Sequence, residues 1–172
     1  MKRILLVILC IVFYLLITKI TTLLNIFLPY TNLVLTILFT IVVFAYDASC
    51  DKIVLGSYFL FTLVFLFFRT KVNDNLNFEF YLWKWLKIIF KNPIVFINIF
   101  GNIFLFVPYV FFIKSKYYWL IIIILIFGLE FMQYVTHRGV MDIVDVTLNL
   151  FGVALTIPFK WRYYGQQRKA TK

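Results

Sequence analysis

The sequence has few of the residues that catalytic and metal-binding proteins usually use. Its 172 residues include only seven acidic side chains, one histidine and two cysteines. Cys10 and Cys50 lie in or beside apolar segments without a CxxC or Cys/His spacing, so the pattern indicates neither a disulfide framework nor a metal site. The strings GxSxG and HExxH and the glycine-rich phosphate loop are also missing. We therefore expect no bound metal and no other cofactor.

Small residues and linkers are scarce as well. Six glycines and four alanines leave little scope for helices that pack through glycine stripes. No internal repeat and no low-complexity linker interrupts the chain. The sequence therefore predicts a single domain over residues 1–172.

Apolar residues dominate what is present. They make up 64% of the chain, aromatic residues make up 22%, and the mean hydropathy is +0.98. A soluble domain of this size could not bury so much apolar surface. Because roughly 20 consecutive apolar residues cross a bilayer as a helix, the sequence predicts an all-α membrane protein, a bundle of about five to six transmembrane helices. The apolar segments cover residues 4–28, 33–46, 53–68, 94–113, 117–135 and 142–159.

The first two segments differ from an ordinary span. The first follows Met1-Lys2-Arg3 in the manner of a signal peptide, but no small-residue cleavage site comes after it. We expect it to remain as an uncleaved span. The second, residues 33–46, is short for a complete crossing.

The net charge of +10 arises from 17 basic and seven acidic residues. In a soluble protein such a charge would suggest nucleic acid. Here the basic residues lie between the apolar segments, which is typical of the positive-inside rule and of contact with anionic lipid. We expect membrane lipids, and no nucleic acid, as partners. Ten of the 17 would lie on the side of the termini, which predicts that both termini are cytoplasmic.

The region between the third and fourth apolar segments has a different pattern. Lys84, Lys87 and Lys91 recur at helical spacing, and most residues between them are aromatic or aliphatic. This predicts an amphipathic helix that lies in the membrane interface with its lysines towards the lipid phosphates. The alternative is a simple extension of the next span, broken at Pro93.

Polar side chains converge at one end of the predicted bundle. Because successive spans alternate in direction, the end of the third, the start of the fourth, the end of the fifth and the start of the sixth share one side. Ionisable groups at membrane depth usually face a bundle interior or a wet cavity, so we interpret the polar cluster as a functional cavity. Its members are Arg69, Asn98, Asn102, Glu130, Gln133, Arg138, Asp142, Asp145 and Asn149.

Simpler roles stay open for single members of this cluster. Asp142 and Asp145 could cap the last helix, and Asn98 and Asn102 could join helices by hydrogen bonds. Arg138 could extend to the membrane surface. We nevertheless expect Arg138 to lie close to at least one of the three carboxylates, because an isolated charge in apolar surroundings is costly.

These residues resemble the VanZ-like family of bacterial membrane proteins. The resemblance lies within residues 69–152. Two positions depart from the family pattern: Asn77-Phe78 stands where Pro-Phe is frequent, and Tyr109 stands where glycine is common. The motifs are, in chain order, Arg69, Asn75-Leu76, GNIFLFVP from Gly101 to Pro108, Glu130-x2-Gln133, Arg138 and Asp142-x2-Asp145-x3-Asn149-x2-Gly152.

The resemblance implies a bacterial cell-envelope protein. The family takes its name from a protein associated with resistance to teicoplanin, a lipid-tailed glycopeptide, and it has no assigned catalytic mechanism. We hypothesise that the polar cluster binds an amphiphile, such as a lipid-linked wall precursor or a lipoglycopeptide, in an outward-facing cavity. Arg69 and Arg138 suit the anionic headgroup of such a molecule.

Two other functions remain open. In the first, Glu130, Asp142 and Asp145 are the catalytic residues of a membrane enzyme, acting as acid and base or as cation ligands on a lipid-linked substrate. In the second, the chain is a small transporter whose carboxylates relay protons. The lack of internal symmetry argues against the transporter.

Overall fold

The structure, a computed structural model, describes residues 2–73 and 76–170, with the side chains of residues 3–73 and 76–160. Most of this range is helical, which confirms the predicted all-α fold. Asn75 of the motif and the side chains of the basic tail lie outside the described residues. The elements are α1 Lys2–Leu24, α2 Thr31–Asp47, α3 Asp51–Phe67, β1 Leu76–Asn77, α4 Leu82–Ile88, α5 Pro93–Leu105, α6 Val107–Phe112, α7 Tyr118–Thr136, β2 Met141–Asp142 and α8 Ile143–Ala170.

The apolar composition of the helices fits a membrane, where every backbone polar group must be bonded within the chain. Helices α2 and α3 have 17 residues each. At 1.5 Å per residue each reaches only about 25 Å, against about 30 Å for the hydrocarbon core, so both are at the lower limit for a span. Within the described residues, four stretches are long and apolar enough to cross a membrane: Arg3–Leu24, Pro93–Phe112, Tyr118–Thr136 and Ile143–Lys160.

The described chain divides into two compact units, and unit 1 comprises Met1–Asn75 and Gln133–Val140. Helix α1 packs on α2, and α2 packs on α3. The rings of Phe13 and Phe39 stack between α1 and α2 with centroids 3.8 Å apart, and Leu35 is completely buried. Aromatic and aliphatic side chains therefore supply much of the packing between these helices.

Unit 2 comprises Leu76–Met132 and Met141–Lys172. Helices α5 and α6 pack along α8, and β1 pairs in parallel with β2 beside the start of α8. The close approach of α5 and α8 requires Gly152, because a Cβ atom there would lie 1.8 Å from the carbonyl oxygen of Ile103. The apolar core of the unit contains Ile89, Val95, Ile99, Val144 and Leu148. The prediction of a single domain over the whole chain stays a prediction.

Helix α4 is a separate element and not an extension of the following span. The side-chain oxygen of Asn92 accepts hydrogen bonds from the backbone N–H groups of Ile94 at 2.9 Å and Val95 at 3.4 Å. Pro93 occupies the first turn of α5, where its missing N–H leaves no bond unmade. The cap and the proline together start a new helix at this point.

The predicted fourth span is broken into two helices. Helix α5 ends at Leu105 and α6 begins at Val107, with Phe106 between them. Pro108 accounts for the break, because its ring lacks an N–H and crowds the carbonyl of Phe104. Helix α8, in turn, runs on to Ala170, beyond the predicted end of the sixth segment at residue 159.

Candidate functional site

Asp142 connects three parts of unit 2 at the start of α8. It lies opposite Asn77 in the β1–β2 ladder, and it is only 4% exposed. Its Oδ1 accepts a hydrogen bond from the backbone N–H of Val144 at 2.8 Å, which caps α8. Its Oδ2 accepts hydrogen bonds from the amide of Asn77 at 3.3 Å and from the hydroxyl of Tyr81. The cap that the sequence suggested is present, together with two bonds that the sequence did not suggest.

Tyr81 precedes α4 and is half-buried against the core of unit 2. Burial, followed by the hydrogen bond to Asp142 and the charge of its carboxylate, raises the pKa of Tyr81 above the ordinary value of 10.0. The phenol is therefore protonated at neutral pH and acts as a donor. Sequence reasoning missed Tyr81 and Asn77, which lie 61 and 65 residues before Asp142. The available signal was the four-residue spacing of Tyr81, Trp85 and Ile89.

Asp145 and Asn102 join α8 to α5. The amide of Asn102 donates a hydrogen bond to Oδ1 of Asp145 at 2.5 Å. Asn98 is half-buried one turn earlier on α5 and takes no part in this bond. Since a hydrogen bond to an ionised group is roughly twice as strong as a neutral one, the pair holds the first turn of α8 against α5.

Glu130 and Asn149 join α7 to α8 at a more deeply buried level. Their exposed fractions are 4% and 1%. The amide of Asn149 donates to Oε1 of Glu130 at 3.4 Å, and its own Oδ1 accepts no hydrogen bond from the described residues. Helix capping does not explain these two residues, because Glu130 lies inside α7 and Asn149 lies about two turns into α8.

These three connections lie along one face of α8, and we call them the α8 polar stripe. The face carries Asp142, Asp145 and Asn149 at positions i, i+3 and i+7, followed by Gly152 at the closest contact with α5. The stripe can accept hydrogen bonds from hydroxyl and amide groups. Its members are Asn77, Tyr81, Asn102, Glu130, Asp142, Asp145 and Asn149.

The remaining predicted site residues lie in unit 1, where they form what we call the arginine cluster, comprising Arg69, Gln133 and Arg138. The Nη1 atom of Arg138 donates to the backbone carbonyl of Arg69 at 2.6 Å. The buried amide of Gln133 donates to the backbone carbonyl of Leu66 at 3.3 Å. The first bond joins the segment after α7 to the segment after α3, and the second joins the last turn of α7 to the last turn of α3.

Arg69 is held by its own helix and by aromatic rings. Its Nε donates to the carbonyl of Phe65 at 2.9 Å. Its guanidinium carbon lies 5.3 Å from the ring centroid of Phe27 and 5.2 Å from that of Phe65, within cation–π distance of both. The guanidinium is thus oriented by a carbonyl and two ring faces. The expected pairing of Arg138 with a carboxylate concerns residues of both units, and it stays a prediction.

Each candidate catalytic carboxylate accepts a hydrogen bond from a side-chain amide. Each has an asparagine partner: Asn77 for Asp142, Asn102 for Asp145 and Asn149 for Glu130. Within residues 2–73 and 76–170, no three histidine, cysteine, aspartate or glutamate side chains come close enough to hold a metal ion. The geometry of the stripe therefore favours hydrogen bonding to a polar ligand or between helices.

Comparison with known proteins assigns the chain to a family. The family model described as VanZ/LLP1 matches residues 27–161. No curated protein and no solved structure matches the chain significantly. The match begins just after α1 and extends through the arginine cluster and the α8 polar stripe to the end of the last apolar segment, so it includes most of the described helices. The chain is a membrane protein that belongs to the VanZ/LLP1 family.

Proposed function

We propose that this protein binds an amphiphilic or lipid-linked molecule of the bacterial cell envelope through the headgroup of that molecule. The α8 polar stripe is the observation that carries the proposal. It places Glu130, Asp142 and Asn149, each less than 5% exposed, among helices that are otherwise apolar. Polar and ionisable groups are expensive at membrane depth, and where they occur they usually mark a ligand or ion pathway.

The chemistry of the α8 polar stripe suits the headgroup of a wall precursor. Carboxylate and amide oxygens of the stripe accept hydrogen bonds from sugar hydroxyl groups and peptide amides. Taken by itself, the arginine cluster of unit 1 offers the guanidinium groups of Arg69 and Arg138, which suit phosphate or carboxylate because arginine forms paired hydrogen bonds with them. The acyl or prenyl tail of such a ligand would remain in the bilayer beside the apolar helices.

The same reasoning supports a contribution to glycopeptide resistance. The VanZ-like family takes its name from a protein associated with teicoplanin resistance, and teicoplanin is itself an amphiphile with a sugar-bearing headgroup. A protein that binds either the antibiotic or its lipid-linked target would change the susceptibility of the cell. Teicoplanin susceptibility is therefore a suitable cellular measurement for variants of this chain.

The proposal includes an orientation, with both termini cytoplasmic and the polar residues directed outward. The excess of basic residues on the side of the termini supports it. In a variant without Cys10 and Cys50, a cysteine at position 168 should be inaccessible to an impermeant thiol reagent in intact cells. Labelling of that cysteine before the cells are opened would reverse the orientation.

The alternative is a membrane enzyme that uses Glu130, Asp142 and Asp145 on a lipid-linked substrate. The hydrogen bond from Tyr81 to Asp142 favours it, because a buried carboxylate held in a fixed orientation can serve as a general base. Such an enzyme would leave a chemically altered lipid, whereas a binding protein would leave its ligand unchanged.

Native mass spectrometry of protein extracted gently from bacterial membranes tests the proposal. We expect the natural protein to retain a lipid-linked molecule, and Asp145→Asn to retain much less of it with only a small loss of thermal stability. Asp51→Asn, at the start of α3 in unit 1, is the matched control and should retain the natural amount. Equal retention by all three proteins would contradict binding at the stripe. A retained molecule whose mass differs from that of the same lipid in cells without this protein would favour the enzyme.

A further inference from the structure

The segment of residues 78–91, here called the anchor segment, is too short to cross a membrane yet leaves large aromatic side chains uncovered. Helix α4 within it has seven residues and a length of about 10 Å. Trp83 is 69% exposed and Phe90 is 90% exposed, and Phe78 and Phe80 are also uncovered. So much uncovered aromatic surface outside the candidate spans marks an interaction surface.

One face of the anchor segment is attached to the core of unit 2. Ile89 belongs to the buried cluster beside α5 and α8, and Tyr81 and Trp85 pack against that cluster at spacings of four residues. The rings of Tyr81 and Trp85 meet edge to face with centroids 4.8 Å apart. The hydroxyl of Tyr81 donates to Asp142 at the start of α8. The segment is therefore fixed in rotation and cannot turn its outer aromatic residues inward.

The outer surface divides into two further faces. Trp83 and Leu86 lie on an uncovered apolar face with Phe90, at positions i, i+3 and i+7. The exposed lysines repeat that spacing one residue later and so form a cationic face beside it. At the boundary, the Nζ atom of Lys87 lies 5.8 Å from the ring centroid of Trp83. The three lysines are Lys84, Lys87 and Lys91.

We propose that the anchor segment is a binding surface for anionic phospholipids. Trp83, Leu86 and Phe90 enter the interfacial layer of the bilayer, where tryptophan is enriched. Lys84, Lys87 and Lys91 extend beside them to the lipid phosphates, with their aliphatic stems over the apolar layer. The fixed core face holds both outer faces at one depth, so anionic headgroups gather around this segment in preference to zwitterionic ones. This surface is distinct from the headgroup site proposed above, and either can fail alone.

Quenching of Trp83 by brominated lipids tests the proposal in the full-length protein. The variant W85F/W119F/W161F leaves Trp83 as the only tryptophan, and it is reconstituted in nanodiscs of phosphatidylcholine and phosphatidylglycerol. We expect brominated phosphatidylglycerol to be enriched around Trp83 by at least about fivefold over brominated phosphatidylcholine at equal fractions, since one lysine near an anionic surface supplies roughly that factor. The preference should fall in 1 M salt, where the screening length shrinks to about 3 Å.

Two variants with the same net charge separate the effect of the lysines in the anchor segment from the effect of the protein's net charge. K84Q/K87Q/K91Q should abolish the preference for phosphatidylglycerol. K52Q/K114Q/K116Q removes three exposed lysines outside the anchor segment and should keep the preference. Equal loss in both variants, equal quenching by the two lipids, or no quenching of Trp83 by either lipid would each overturn the proposal.

A second measurement keeps the test decisive if the single-tryptophan protein does not fold. The number of phosphatidylglycerol molecules retained in native mass spectrometry is compared between the natural protein and the two lysine variants, all with their natural tryptophans. We expect fewer retained molecules only in K84Q/K87Q/K91Q. The same number in all three proteins would refute the proposal.

Discussion

The two units hold their charged side chains in different ways. In the α8 polar stripe of unit 2, carboxylates accept hydrogen bonds from side chains of other elements, as between Asp145 and Asn102. In the arginine cluster of unit 1, guanidinium groups donate to backbone carbonyls, as from Arg138 to Arg69. A carboxylate of the stripe can be replaced by an amide of the same size, which keeps part of the hydrogen bonding. A backbone carbonyl that loses its arginine donor is left without that hydrogen bond. We therefore expect the arginine cluster to matter more for folding and the stripe more for function.

The largest loss of stability should come from Gly152→Val in unit 2, because this substitution separates α8 from α5. The added Cβ would lie 1.8 Å from the carbonyl oxygen of Ile103, so the backbone has to move. We expect a loss of roughly 3 kcal/mol or more, or failure to accumulate in the membrane. The matched control is Gly101→Ala, where a Cβ meets nothing within 4 Å. Fluorescence-detected size exclusion after heating measures both, and equal stability of the two variants would contradict the close contact.

Arg138→Ala should have the next largest effect on stability. It removes the donor to the carbonyl of Arg69 and should cost about 1–3 kcal/mol. Arg138→Lys should recover only part of this, because lysine lacks the planar fork of donors. Lys71→Ala, an exposed change in the same segment, should be nearly neutral. If thermal unfolding shows no difference between Arg138→Ala and Lys71→Ala, the structural role assigned to the arginine cluster is wrong.

Tyr81→Phe should have a smaller and pH-dependent effect. It removes one hydrogen bond to Asp142 and should cost about 1 kcal/mol. Because the pKa of Tyr81 is raised above 10.0 in the folded protein, this contribution is complete below pH 10. It declines only as the pH rises above 10 and through the raised pKa. Thermal melts of both proteins between pH 7 and pH 11 check the sign, and an advantage of the natural protein that grows above pH 10 would contradict it.

Glu130→Gln and Asp145→Asn should change stability least, by about 1 kcal/mol or less, because an amide keeps the size and part of the hydrogen bonding. We expect both to abolish any effect on teicoplanin susceptibility at natural abundance, and we expect no dependence of that effect on added Mg²⁺ or Ca²⁺. Immunoblots and susceptibility assays measure the two quantities. Lost abundance would show that the stripe is mainly architectural, and full function in both variants would remove support for a ligand site there.

Local pattern was sufficient for much of the fold. Apolar runs predicted where the long helices start to within a few residues, although α8 runs on past the predicted end at residue 159. Pro93 and Asn92 together start α5, and the spacing of Asp142, Asp145 and Asn149 predicted that they share one face of the last helix. All of these depend on interactions between residues close in the chain, which composition and periodicity report directly. Pro108 also marks the interruption between α5 and α6, but the apolar run predicted one continuous segment there.

The hydrogen-bond partners of the charged groups could not be predicted from the sequence in the same way. Asp142 meets Tyr81 from 61 residues earlier, and Asp145 meets Asn102 from 43 residues earlier. Local sequence patterns do not identify these pairs, because the contacts form only when short strands and helices pack within unit 2. The sequence by itself determined that this is an α-helical membrane protein with a polar face on its last apolar helix. Only the tertiary structure decided which amide, phenol or carbonyl each charge meets, since hydrogen bonds over such separations exist only after the helices have packed.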